Sequence, residues 1–160
     1  MKIRKPILLA LLLTYASSMT PTISAQDAAN TVATTHQLNL MPVPASVQLQ
    51  PGRLPISGAF SVATKGYSDD RLQSGIYRIV KRLQGRIGLT LPTGLATDES
   101  AAALVVQSGG PGQAIPSVAD NESYSLEVSD KQARLVAPTV VGALRGLETL
   151  LQLVESDRDG

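Results

Sequence analysis

The stretch from Asn121 to Val154, "NESYSLEVSDKQARLVAPTVVGALRGLETLLQLV", reads as a complete piece of architecture. Tyr124, Leu126 and Val128 alternate with Ser123, Ser125 and Glu127, which is the period of a strand with one wet face. "SDKQ" turns the chain, and Leu135 in "ARLVA" repeats the alternation. Pro138 stops that second strand, and Thr139 is placed to cap a helix. The helix carries its apolar stripe on Val140, Ala143, Leu144, Leu147, Leu150, Leu151 and Val154. Gly142 and Gly146 fall on the same helix, and each costs about 1 kcal/mol relative to alanine. Their presence predicts close packing of the helix on the sheet. Arg145 and Glu148 in the same turns exclude a membrane dimerisation face.

Working towards the N-terminus, "AALVVQS" (Ala102 to Ser108) is a short apolar run bounded by turn residues, and it predicts a buried strand. Before it, Leu72, Ile76, Ile79, Val80, Leu83 and Ile87 recur at helical steps. Ser68 is placed as the N-cap, Asp69 and Asp70 complement the positive end of the dipole, and Lys81, Arg82 and Arg86 lie near the other end. Gly88 closes the helix. Further upstream, Val47 and Leu49 alternate with polar neighbours, "PG" at Pro51 and Gly52 marks a turn, and Phe60 and Val62 alternate again. This predicts two strands, with Pro42 and Pro44 confining the start to an edge. The resulting order is strand, strand, helix, strand, strand, strand, helix. It predicts an α+β fold, a two-layer sandwich with a mostly antiparallel sheet and two helices on one face.

The chain has 160 residues, 43% of them hydrophobic, which suffices for one domain with a core of its own. A formal net charge of +1 leaves no global field to recruit nucleic acid or an acidic membrane surface. Residues 1–25, "MKIRKPILLALLLTYASSMTPTISA", have the layout of an export signal. Lys2, Arg4 and Lys5 precede an apolar run too short to span a bilayer, and small residues lead to a cleavage point near Ala25. Residues 26–37 read as a flexible leader, 38–155 as the folded domain and 156–160 as the start of a linker. With no cysteine in the chain, disulfides and thiolate chemistry are excluded. The expected location is periplasmic or secreted, with no membrane association after cleavage.

Residues with chemical potential are few. His36, the single histidine, falls in the leader, away from any partners for a triad or a zinc site. "SGGPGQ" (Ser108 to Gln113) lacks the lysine of a P-loop and the spacing of a dinucleotide loop. Asp98 and Glu99 form the most tempting carboxylate pair, yet "ATDESAAA" offers nothing apolar to raise either pKa. Asp69 with Asp70, and Asp120 with Glu122, read as a helix start and a turn. Past the signal the aromatic residues are Phe60, Tyr67, Tyr77 and Tyr124, with no tryptophan, too few for a sugar- or base-stacking platform. Phe60 and Tyr124 are assigned to the core. No catalytic, cofactor-binding or metal-binding residue is assigned, and no cofactor is implied.

Two stretches carry a family likeness. "LMPVPASVQLQPGRLPI" (Leu40 to Ile56) and the opening stretch, with its "RGLETLLQL", resemble the N-terminal, non-catalytic domain of glycoside hydrolase family 20, the β-N-acetylhexosaminidases. The resemblance implies that this domain packs beside a catalytic (β/α)8 barrel that begins after the last helix. In such a barrel an adjacent Asp-Glu pair, preceded by glycines, promotes attack by the substrate's own acetamido oxygen, releasing terminal N-acetylglucosamine or N-acetylgalactosamine. Asp98 and Glu99 match the residue types but not the glycine-preceded motif, so those roles are not carried onto them. The implied partner is the protein's own barrel, with a glycan substrate bound there and no nucleic acid. The domain's part is to support that barrel through an apolar or mixed face, involving the last helix around Arg145 and Glu148. Two other readings stand beside this one, a free-standing periplasmic interaction module and the accessory domain of another barrel glycosidase.

Overall fold

A computed structural model describes residues 38–155, Pro116 excepted. The signal, the leader with His36, and residues 156–160 lie outside the described residues. The fold runs β1 (Val62–Gly66), α1 (Asp70–Ile87), β2 (Leu104–Ser108), β3 (Ser125–Val128), β4 (Ala133–Ala137) and α2 (Val140–Gln152). The strands form one sheet in the order β1-β2-β4-β3. This is the expected α+β arrangement with both helices against one face, but the sheet is mixed rather than mostly antiparallel. β1 pairs with β2, and β2 with β4, in parallel; only β3 and β4 pair antiparallel.

The connections explain the difference. α1 carries the chain back along the sheet, so β2 enters beside β1 in the same direction. β3 and β4 do form the hairpin read from "SDKQ", closed by the Ser129 N–H donating to the Gln132 carbonyl at 3.0 Å. Which arm of that hairpin joins β2 is decided by burial. Ala133, Leu135 and Ala137 of β4 are all buried, whereas β3 exposes Ser125, Glu127 and Val128. β4 therefore takes the inner place, and β3 becomes an edge.

A second correction concerns the N-terminal strands. Among the described residues no strand precedes β1, and Val47 and Leu49 are 51% and 56% exposed. Pro42, Pro44, Pro51 and Pro55 supply no N–H in this segment, so few ladder bonds could form even along a neighbouring edge. Leu54 and Ile56 turn inward and pack against the core, and Phe60 is buried in the turn before β1.

Both helices bear the caps that their sequences suggest, with one shift. Asp69, not Ser68, caps α1, its Oδ1 accepting from the Leu72 N–H at 2.8 Å. Either residue suits the role by type, but Asp69 has the extended backbone that aims its carboxylate at the free N–H groups. Gly88 ends the helix in the left-handed conformation, φ 72°. Thr139 caps α2 by accepting from the Gly142 N–H at 3.1 Å.

The core lies between helices and sheet. Leu72, Ile76, Val80 and Leu83 of α1 and Val140, Ala143 and Leu147 of α2 meet Leu104 and Val106 of β2 and Leu135 of β4. On the opposite face Ala63, Val105 and Ala102 form a small second cluster against Ala96, where the Ala96 N–H donates to the Val62 carbonyl at 2.8 Å. Tyr124 packs against the main core, and its hydroxyl shares a 2.6 Å hydrogen bond with the buried Thr149.

The glycines of α2 sit where the sequence places a close approach. A Cβ on Gly142 would meet the backbone carbonyl of Ser123, and one on Gly146 would meet Leu135 and the Tyr124 ring. In α1, a Cβ on Gly75 would meet only the far end of the half-buried Leu144 side chain. The two helices should therefore answer alanine with opposite signs. Gly142→Ala must displace backbone and is expected to cost about 1–3 kcal/mol despite its better helix propensity. Gly75→Ala should leave stability unchanged or raise it by up to about 1 kcal/mol once Leu144 rotates aside. Urea unfolding of both variants checks the contrast.

Candidate functional site

Arg145 and Glu148 project from α2 into a shallow cleft between the two helices, floored by Gly75, Ile79, Val141 and Leu144. The helical repeat brings them to the same side, one turn apart. Each charge is already matched within the domain. Arg145 grips Glu122, in the segment before β3, through Nε at 2.9 Å and Nη2 at 3.1 Å. Glu148 accepts from Arg82 of α1 with both carboxylate oxygens, at 2.5 and 2.6 Å. The cleft walls are thus two cross-links, one between the helices and one from α2 to the edge of the sheet. All four side chains are about half exposed, so solvent screening keeps each link weak.

A second cluster gathers at the C-terminal end of α2. The Gln152 side chain both donates to the Met41 carbonyl and accepts from the Met41 N–H, each at 2.9 Å. Arg86, from the last turn of α1, donates to the Leu151 carbonyl at 2.8 Å and satisfies one of the carbonyls that a helix end leaves free. Arg53 lies 4.0 Å from Glu155. These contacts join residues far apart in the chain, and nothing in local pattern or spacing announces them. Sequence reading missed the whole cluster for that reason.

The carboxylates singled out from sequence are dispersed. Asp98 folds back on its own loop, accepting from the Ser100 N–H at 2.8 Å and its hydroxyl at 2.7 Å. The hydroxyl bond, then the backbone one, holds its pKa below the ordinary 3.8. Glu99 pairs with Lys65 at 3.1 Å. Asp69 is a helix cap and Asp70 opens α1, while Asp120 bonds to the Ser117 N–H in its own turn. "SGGPGQ" is a structural corner: the Val140 N–H donates to the Gly110 carbonyl at 3.0 Å, and Arg71 donates to the Pro111 carbonyl. Among the described residues no group of His, Asp or Glu converges as a metal site would require. His36 lies outside them.

The Arg145–Glu122 link has a pH signature. Its hydrogen bonds, and secondarily the guanidinium charge, hold the Glu122 carboxyl below its ordinary 4.5. A depressed folded-state pKa contributes stability above pH 4.5, and that contribution fades as pH falls through the folded value. Glu122→Gln should therefore be less stable than wild type at neutral pH, and the difference should vanish in strong acid. Thermal melts of both proteins across that range check the sign.

Comparison with known proteins places this fold. The family profile described as "beta-acetyl hexosaminidase like" matches residues 40–153. The chain is 35% identical over 136 residues to the beta-hexosaminidase subunit beta of Sus scrofa, an alignment covering 77% of this chain and 24% of that one. A segment of 58 residues is 45% identical to the subunit alpha of Bos taurus, covering 36% of this chain and 11% of the relative. Among solved structures, the Flavobacterium johnsoniae chitobiase superposes with a TM-score of 0.68 at 35% identity, over 76% of this chain and 19% of the chitobiase. The GH20 exo β-N-acetylglucosaminidase of Vibrio harveyi, at 21% identity and a TM-score of 0.54 over 74% of this chain and 16% of its own, shares the fold. The chain spans about a quarter or less of the length of these relatives. A profile match running through both helices and every strand of the sheet settles the kinship: the chain belongs to the glycoside hydrolase family 20 β-N-acetylhexosaminidases, as their N-terminal, non-catalytic domain.

Proposed function

We propose that this chain is the front part of an exported β-N-acetylhexosaminidase, and that its own role is to support a catalytic (β/α)8 barrel carried by the same protein. The observation that carries this reading is the pairing of a match over residues 40–153 with a coverage of only 24% of the Sus scrofa subunit. The part shared with the relatives is the accessory part. In this reading residues 1–25 direct export and are removed near Ala25, residues 26–37 are a leader, and residues 156–160 begin the connection to the barrel. The substrate, bound entirely in the barrel, is a chito-oligosaccharide or glycan ending in N-acetylglucosamine or N-acetylgalactosamine. The barrel hydrolyses it with retention through the substrate's acetamido group.

The described side chains support an accessory role in a plain physical way. Asp69, Asp98, Glu99, Glu122 and Glu148 are engaged in a cap, a turn and cross-links, and the two whose ionisation is shifted, Asp98 and Glu122, are shifted towards the charged form. A general acid at neutral pH needs the opposite shift. No helix among the described residues is long and apolar enough to cross a membrane.

Reading the coding DNA beyond Gly160 and assaying the products tests the proposal. The whole gene product is expected to carry a barrel, to begin at Gln26 after export by intact mass, and to release chromophore from an aryl N-acetyl-β-glucosaminide. A chain of residues 26–160 should release none. Turnover by that short chain, or a stop codon followed by unrelated sequence, would overturn the reading.

A further inference from the structure

We draw no further inference here: the strongest candidate, the cleft between α1 and α2 lined by Arg71, Arg78, Arg82 and Arg145, belongs to the site already described, and nothing in the structure shows what would occupy it.

Discussion

The close approach of α2 to the sheet is the constraint from which the other contacts of the domain follow. At Gly142 the helix backbone lies against the Ser123 carbonyl, and at Gly146 it rests on Leu135 and the Tyr124 ring. That proximity lets the Tyr124 hydroxyl reach Thr149 and brings Glu122 within reach of Arg145. It also sets the height at which α1 must lie, so Leu144 of α2 fills the notch at Gly75 and Arg82 can meet Glu148. A larger residue at Gly142 would lift the helix and loosen all of these together. Dispersion and apolar burial supply the stability, but the small residues decide which surfaces can share it.

Much of this was legible in the sequence, and the reason differs from element to element. α1 and α2 declare themselves because helical periodicity, caps and end charges agree over many residues. The β3–β4 hairpin is equally plain, since its turn is local. Strand direction was less accessible: whether β4 or β3 lies beside β2 depends on the relative burial of two strands across a long connection. The supposed strand around Val47 failed for a related cause. Alternation describes a chain that could pair, and pairing needs an edge that local sequence does not describe. At the candidate site, Arg145 and Glu148 were visible as notable charges, but their partners Glu122 and Arg82 lie 23 and 66 residues away in the chain.

The domain's charges also illustrate how a non-catalytic fold uses acidic residues. Asp69 satisfies helix N–H groups, Asp98 tightens a loop, Glu99 anchors that loop to β1 through Lys65, and Glu122 and Glu148 tie α2 to its neighbours. Carboxylates adjacent in sequence, such as Asp98 and Glu99, are thereby pulled into separate tasks, one facing its own turn and the other a lysine of the sheet. Sharing a reaction would require both to converge on one point. The geometry gives them different neighbours instead.

The Gln152–Met41 clasp has one further consequence, for how such a unit can travel between proteins. Because the first described residues and the last helix meet at one corner, the fold enters and leaves the chain at nearly the same place. A module closed in this way resembles a pendant on a single ring. It can be spliced into a longer gene, or out of it, with little strain on its core, and circularly permuted forms that join its two ends need only a short bridge.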